Sequence, residues 1–264
     1  MSPHHTIESS TDGAGAPAWS DPELRDLHAR ADKPGRVRRM FAAIAGSYDL
    51  NNRVHSLGRD QAWRRFAVRA AGVRRGERVL DVACGTGDLT QAFAATDAAE
   101  IVGVDFTPEM LAIAARKRDA LGSPTASRVR YQEGDAQNLA FSDASFDVVS
   151  IAFGIRNVAD PARALSEFAR VLRPGGRLVI LEFDRPSTPP MSWFYDFYCG
   201  TVMPRTATLI SGDKSGAYKY LPKSVGSFMT RNEMRIAIER AGFSDVTSTP
   251  LSLGICMCYR AVRS

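Results

Sequence analysis

The fold is decided by residues 79–89, Val-Leu-Asp-Val-Ala-Cys-Gly-Thr-Gly-Asp-Leu, where an apolar run leads directly into a glycine-rich turn and then a helical pattern. A short apolar run bounded by turn residues predicts a buried β-strand. Gly85 and Gly87 permit a sharp turn and let a ligand approach the backbone where a side chain would intrude. Asp81, near the strand's end, either anchors the turn or meets the charged amino-acid end of a ligand. The stretch therefore predicts a cofactor-binding strand, turn and helix.

A second predicted strand ends at Asp105, eighteen residues beyond Gly87. Parallel strands end at one edge of a sheet, where an ionised carboxylate accepts hydrogen bonds from both hydroxyls of a ribose. Dinucleotide-binding proteins share this arrangement, but their GxGxxG fingerprint has a third glycine where this chain has Thr90. That glycine serves helix–strand packing at a pyrophosphate-binding turn, and S-adenosylmethionine has no pyrophosphate. The sequence therefore favours S-adenosylmethionine over a dinucleotide.

The third predicted strand adds a further polar group to this edge. It ends in Gly134-Asp135-Ala136. The Asp135 carboxylate is suited to accept from an adenine amino group, with the Ala136 N–H beside it. Ligands of open α/β sheets bind at the carboxyl ends of the strands, so Asp135 and Ala136 join the predicted cofactor site.

Short β-like runs alternate with helical patterns along most of the chain, which is typical of βαβ units. We predict a Rossmann-like, seven-stranded α/β fold of the class I methyltransferase type, with a mostly parallel sheet and helices on both faces. Residues 1–33 lack apolar periodicity and are predicted to be a flexible tail, while 34–264 form a single domain with a substrate-side insertion near 186–232. The predicted strands are 78–83, 100–105, 128–134, 146–152, 177–183, 244–249 and 254–261.

Bulk composition excludes several classes of protein. The 264 residues are 44% hydrophobic and 24% charged, as in a globular domain. No run approaches the roughly 18 apolar residues that cross a bilayer, and no secretory signal is visible, so we expect a cytoplasmic protein. The four cysteines lack CxxC spacing and nearby histidines, so neither a metal site nor a disulfide framework is predicted.

An arginine cluster between residues 64 and 78 contributes to the net charge of +5. It is either a solvated helix face or a surface for phosphate, on nucleic acid or on anionic lipid. We expect no nucleic-acid partner, because an intact cofactor turn favours an enzyme over a scaffold or RNA-binding module. The oligomeric state is left open.

Three further segments carry a resemblance to a known family. They are YDLNN at 48–52 with Ser56-Leu57-Gly58 and Trp63, FGIRNV at 153–158, and RVLRPGGRL at 170–178, which leads into Leu181-Glu182-Phe183. On these segments the chain, over about residues 36–263, resembles the ubiquinone/menaquinone biosynthesis C-methyltransferases. The resemblance implies cofactor contacts at Thr86, Asp105, Asp135 and Ala136.

The resemblance also implies the reaction, which moves a methyl group from S-adenosylmethionine to the ring of a lipophilic prenylated quinol. Asp60 and the YKYLP segment at 218–222 favour demethylmenaquinol as the acceptor. The alternatives are a methoxy-benzoquinol of the ubiquinone pathway and another small lipophilic acceptor, because acceptor pockets change readily on a shared fold.

Ring methylation requires a stabilised phenolate and exclusion of water. Arg156 is the candidate that steadies the oxyanion or positions a proton-accepting water; alternatively it forms a salt bridge with Asp147 or Asp160. Tyr48 and Asp49 either close over the cofactor and contact the ring, or cap a helix.

Aromatic residues crowd the stretch 193–198, Trp-Phe-Tyr-Asp-Phe-Tyr. They line the entry of the isoprenoid tail, touch the inner face of the membrane as a peripheral contact, or form an ordinary core helix, since Trp and Tyr suit both apolar and interfacial surroundings.

Overall fold

A computed structural model describes residues 18–19, 27, 30, 32–211 and 216–264. The predicted flexible tail, 1–33, therefore lies mostly outside the described residues. Of that stretch, Ala18, Trp19 and Leu27 are buried, and Trp19 stacks on Tyr220 with ring centroids 5.0 Å apart.

One seven-stranded sheet forms the centre of the molecule, in the order β3-β2-β1-β4-β5-β7-β6. Strands β1 to β5 pair with one another in parallel, and β7 is antiparallel to both β5 and β6. The prediction of seven strands in a mostly parallel sheet is confirmed. The strands are β1 (Arg78–Val82), β2 (Glu100–Asp105), β3 (Val129–Glu133), β4 (Phe146–Ala152), β5 (Leu172–Phe183), β6 (Phe243–Leu251) and β7 (Cys256–Arg263).

The β5 strand begins earlier than predicted. Leu172 already pairs with Phe146, and the register between β4 and β5 shifts before Val148 pairs with Arg177. The Pro174-Gly175-Gly176 stretch lies within this irregularity, with Gly175 at φ +75°. The preceding helix ends at Val171, and these residues form the irregular start of the strand.

Helices cover both faces of the sheet, as predicted. On one face α6 and α10 pack against apolar side chains such as Leu80 and Val102, and on the other α3 and α4 pack against Val79 and Ile101. The helices are α1 (Lys33–Ile44), α2 (Tyr48–His55), α3 (Arg59–Ala71), α4 (Asp88–Ala94), α5 (Pro108–Asp119), α6 (Pro161–Val171), α7 (Met191–Phe197), α8 (Met203–Ser211), α9 (Ala217–Gly226) and α10 (Arg231–Arg240).

Helices α7 to α9 fall within the stretch predicted as a substrate-side insertion. A π-helical turn, Tyr198–Val202, joins α7 to α8. The π-helical geometry is rare and is frequently found at functional sites. His55 of α2 hydrogen-bonds Thr206 of α8 at 2.8 Å, so α8 lies beside α2.

The arginine cluster does not form one surface. Arg78 pairs with Glu100 and lies over the Phe146 ring, and Arg64 is buried. The exposed members are Arg65, Arg69, Arg74 and Arg75.

Candidate active site

A largely apolar cleft opens at the carboxyl edge of the parallel strands. It encloses about 840 Å³ including its opening to solvent. Residues that follow β1, β2, β3 and β4 form its floor, and α1 and α2 contribute Pro34, Phe41 and Tyr48. The predicted site residues among its walls are Tyr48, Gly85, Asp105, Asp135 and Ala136.

The two glycines of the turn after β1 have different tasks. Gly85, at φ +55°, lines the cleft, and a Cβ built on it meets no atom within 4 Å. Gly87, at φ +81°, faces the Tyr131 hydroxyl so closely that a Cβ would overlap it. Gly85 therefore leaves space in the cleft, whereas Gly87 allows the turn to pack against β3.

Both carboxylate oxygens of Asp105 accept hydrogen bonds from the backbone at the floor of the cleft. One accepts from the Gly85 N–H at 2.8 Å and the other from the Thr107 N–H at 2.9 Å. Burial raises the pKa of this carboxyl, and the backbone hydrogen bonds oppose that shift. A carboxylate oxygen has more than one acceptor direction, so Asp105 retains capacity to bind hydroxyls in the cleft.

Asp81 is not part of the cleft wall. Its carboxylate accepts from the Thr90 hydroxyl at 2.6 Å and from the Ser150 hydroxyl at 2.8 Å. Burial raises its pKa to about 6. Of its two predicted roles, this geometry corresponds to an anchor that ties β1 to α4 and β4.

Thr86 also points away from the cleft, toward α2. Its hydroxyl donates to Asp49 Oδ1 at 2.6 Å, and Lys117 donates to Asp49 Oδ2 at 2.8 Å. Lys117 is bonded to Asp88 as well. The side chain of Asp49 thus joins α2 to the glycine turn and α5, and no side-chain hydrogen bond caps the start of α2, contrary to the helix-cap alternative.

Asp135 and Ala136 line the far end of the cleft, beside Gln137. Asp135 is exposed and accepts from the Gln137 N–H at 2.9 Å. Together with Asp105 and the open space at Gly85, this gives two carboxylates at neighbouring strand ends and apolar walls between them. The carboxylates can accept hydrogen bonds from ribose hydroxyls and an adenine amino group, and the apolar walls fit a hydrocarbon chain between them. The residues present therefore fit S-adenosylmethionine.

Arg156 is buried in an ion pair with Glu182, at 2.5 Å. The same nitrogen donates to the Phe153 carbonyl at 2.6 Å, and Nε donates to Ser224 at 3.3 Å. Neither predicted salt-bridge partner, Asp147 or Asp160, is its partner. Glu182 is the penultimate residue of β5, which pairs with β4, so it lies beside the turn that follows β4. The guanidinium does not line the cleft, although the turn that it holds does.

Sequence reasoning missed Asn157 as a cleft residue. Its side chain accepts a hydrogen bond from the Tyr220 hydroxyl at 2.9 Å, and Tyr220 stacks on Trp19. The FGIRNV segment contains Asn157, but its neighbour Arg156 was singled out because a charged side chain suggests chemistry more strongly than an amide. Nothing in the sequence around Trp19 indicates this contact.

The aromatic stretch on α7 is not a core helix. Trp193, Phe194 and Phe197 are 70%, 63% and 61% exposed. No helix within the described residues is long and apolar enough to cross a membrane. The part of the chain that the structure describes also contains no cluster of histidine, cysteine or acidic side chains able to hold a metal ion.

This fold and this cleft define a class I, Rossmann-like methyltransferase. The family model of the ubiE/COQ5 methyltransferase family matches residues 29–263, and the chain belongs to that family. It is 42% identical over 235 residues to the ubiquinone/menaquinone biosynthesis C-methyltransferase UbiE of a Geobacter species, covering 88% of this chain and 98% of the relative. It is 48% identical over 206 residues to a demethylmenaquinone methyltransferase of Thermus thermophilus, covering 78% and 91%.

A solved S-adenosylmethionine-dependent methyltransferase from Thermotoga maritima has the same fold, with a TM-score of 0.60 at 22% identity over 86% of this chain and 100% of that one. The predictions of the family, the fold and an S-adenosylmethionine-dependent methyltransferase are confirmed.

Proposed function

We propose that the protein transfers a methyl group from S-adenosylmethionine to a ring carbon of a prenylated quinol, with demethylmenaquinol as the acceptor and menaquinol as the product. The supporting observation is the single apolar cleft that joins Gly85 and Asp105 to a wall formed by α1, α2 and the turn after β4. The Thermus relative is named a demethylmenaquinone methyltransferase, which agrees with this acceptor.

The cofactor would be held by the residues at the strand ends. Asp105 binds the ribose hydroxyls, Asp135 and Ala136 bind the adenine, and Gly85 leaves room for the chain that carries the methyl group. Asp81, Thr86 and Gly87 act on the turn itself, through the contacts described above. When bound, S-adenosylmethionine supplies an electrophilic methyl group on a positively charged sulfur.

Tyr48 is the proposed partner of the quinol oxygen. Its side chain lines the cleft, and burial raises its pKa, opposed by the nearby Arg64. The phenol therefore keeps its proton at neutral pH and can donate a hydrogen bond to a phenolate, which stabilises the charge that makes the ring carbon nucleophilic. Asp49 fixes the start of α2 to the glycine turn and so positions Tyr48.

Arg156 acts through the turn that it holds. Its guanidinium is committed to Glu182 and to the Phe153 carbonyl, and direct contact with a quinol would require breaking that buried pair, which is costly. We therefore propose that Arg156 shapes the cleft wall from Phe153 to Asn157 and keeps water out of it.

The exposed apolar surface of α7 is proposed to rest on the bilayer from which a prenylated quinol enters. Leu209 on α8 and Leu57 after α2 are 83% and 88% exposed and extend this surface, since α8 lies beside α2. Trp193→Glu should reduce sedimentation with phospholipid vesicles, whereas Ile236→Glu, an exposed apolar position on α10, should not. Equal vesicle binding by both variants would contradict the membrane contact.

The acceptor is tested by methyl transfer from labelled S-adenosylmethionine to reduced demethylmenaquinol in detergent, with a methoxy-benzoquinol in a parallel reaction. Wild type should label menaquinol preferentially, Asp105→Ala should lose the product, and Asp119→Ala, an exposed aspartate at the end of α5, should retain it. Preferential labelling of the benzoquinol would assign the ubiquinone pathway instead. Cofactor binding without labelling of either quinol would refute the quinol acceptor.

A further inference from the structure

Arg64 is a buried cation whose charge the described residues leave incompletely paired. It lies in the middle of α3 and is 6% exposed, while its neighbours Arg65 and Arg69 are exposed. Its guanidinium carbon lies 5.3 Å from the centre of the Phe153 ring, and Phe153 lines the cleft. Removing a guanidinium from water costs several kcal/mol unless it is paired and hydrogen-bonded, so this charge requires a partner.

Among the described residues, the carboxylate partner of Arg64 is distant. Arg64 Nε is fully buried without a hydrogen bond in the described part of the chain, and its one carboxylate neighbour there is Asp88, with Oδ2 at 3.9 Å. Asp88 Oδ2 already accepts from Gln61 at 2.9 Å and from Arg53 at 3.3 Å. Its Oδ1 accepts from Lys117. Three donors thus already bind this carboxylate, and Arg64 lies beyond hydrogen-bond distance of it.

This cluster contains three cations and two carboxylates in ion-pair contact, and a third buried carboxylate, Asp60, is linked to it through Gln61. Its cations are Arg53, Arg64 and Lys117, and its carboxylates are Asp49 and Asp88. Asp49 is bonded to Thr86, inside the glycine turn. Asp60 and Asp81 are not in ion-pair contact with Arg64 within the described residues, so the guanidinium beside the cleft wall at Phe153 keeps an unused N–H donor for an anionic group.

The order of the strands shows which end of the cofactor would meet it. Asp105 and Asp135 follow β2 and β3, so the adenosine lies on that side of the glycine turn. On the other side of β1 lies β4, followed by Phe153 and overlain by α3. The amino-acid end of the cofactor, which carries its one carboxylate, would therefore lie on the β4 side, near Phe153 and α3.

We propose that Arg64 binds the α-carboxylate of S-adenosylmethionine, as the cation that completes the site at its amino-acid end. A guanidinium presents paired N–H donors that match a carboxylate. Because the Arg64 side chain is shielded from water, this contact is stronger than an exposed ion pair. The proposal rests on S-adenosylmethionine as the cofactor and not on the quinol acceptor.

Calorimetric binding of two ligands tests it. One is S-adenosylhomocysteine, and the other is its decarboxylated analogue, which keeps the adenosine and the amine and lacks only the carboxylate. Wild type should bind S-adenosylhomocysteine about 10- to 100-fold more tightly than the analogue, the usual range for a hydrogen-bonded charge. In Arg64→Met this ratio should fall to within about threefold of unity, while Arg65→Met, the same change on the exposed face of α3, keeps the wild-type ratio.

A purely structural Arg64 would give a different result. Arg64→Met would then weaken both ligands equally and leave their ratio unchanged, which would overturn the proposal. The wild-type ratio decides the question even if Arg64→Met fails to fold, since equal affinity of wild type for the two ligands overturns it as well. Methyl transfer is not measured, so failure of the quinol assignment leaves this result intact, and failure of wild type to bind either ligand would refute the cofactor itself.

Discussion

The buried ion pair of Arg156 and Glu182 predicts a large loss of stability when one partner is removed. Arg156→Met removes one partner and leaves the Glu182 carboxylate, 2% exposed, without its counter-ion. Breaking one side of a buried pair costs about 3–5 kcal/mol, and a domain of this size loses roughly 2–4 °C in Tm per kcal/mol. We therefore expect Tm to fall by about 6–20 °C.

The surface pair of Arg173 and Asp147 supplies a matched control. Its atoms are 2.8 Å apart, but the Arg173 side chain is 49% exposed. Exposed pairs contribute about 0–1 kcal/mol, so Arg173→Met should change Tm by at most a few degrees, roughly 4 °C. The comparison uses the same substitution and the same chemistry and differs mainly in burial.

A second substitution separates a positioning role from contact with substrate. Arg156→Met with Glu182→Gln removes both charges and keeps a carbonyl acceptor for the Phe183 N–H, which Glu182 accepts at 2.8 Å. The double variant should recover at least half of the lost stability and, in labelled methyl transfer, regain kcat to within roughly tenfold of wild type. Unchanged Tm in Arg156→Met, with kcat reduced beyond about 100-fold and not rescued by Glu182→Gln, would refute the reasoning and put Arg156 in contact with the substrate.

Variants at four further positions test other parts of the structure. Gly85→Ala should mainly weaken the binding of S-adenosylhomocysteine, whereas Gly87→Ala, whose Cβ overlaps Tyr131, should mainly lower Tm. Calorimetry measures the binding, and thermal melts measure Tm. Trp19→Ala should lower the free energy of unfolding by roughly 3–5 kcal/mol, the usual cost of removing a buried aromatic side chain, and Trp19→Phe should lower it less. An unchanged Tm in Trp19→Ala would refute the packing of this side chain. The folded-state pKa of Asp81, about 6, lies above the ordinary value of 3.8 for an aspartate, so its contribution to stability is present below pH 3.8 and lost as pH rises through 6. Asp81→Asn should therefore gain on wild type by on the order of 2–3 kcal/mol between pH 4 and 7.5 in denaturant titrations, and a constant difference would contradict this.

The cofactor side of the cleft could be predicted from the sequence because its geometry follows from local patterns. Each of Gly85, Asp105 and Asp135 lies at or within three residues of the end of a strand, and parallel strands end at one edge of the sheet. No knowledge of distant contacts is needed to bring these residues together. Their placement in one cleft follows once the strands are recognised.

The partners of charged residues could not be predicted in the same way. Arg156 was expected to pair with aspartates near it in sequence, whereas Glu182 is brought beside it because Ala152 pairs with Leu181 across β4 and β5. An acidic residue at the end of the neighbouring strand is the signal that would have found it. Trp19 has no such signal, because it lies in a stretch without apolar periodicity.

The two walls of the cleft therefore differ in what holds them. The cofactor wall is held by β1 to β3, contiguous in sequence from 78 to 136. The opposite wall is held by contacts between segments more than a hundred residues apart, such as the Lys33 ammonium, which donates to the Arg156 and Val158 carbonyls at 2.9 and 2.7 Å. Burial lowers the pKa of Lys33 to about 8. Helices α1 and α2 contribute Pro34, Phe41 and Tyr48 to the cleft, so substitutions at these three positions can change the acceptor pocket while Gly85, Asp105 and Asp135 are kept, and one fold can serve acceptors of different size.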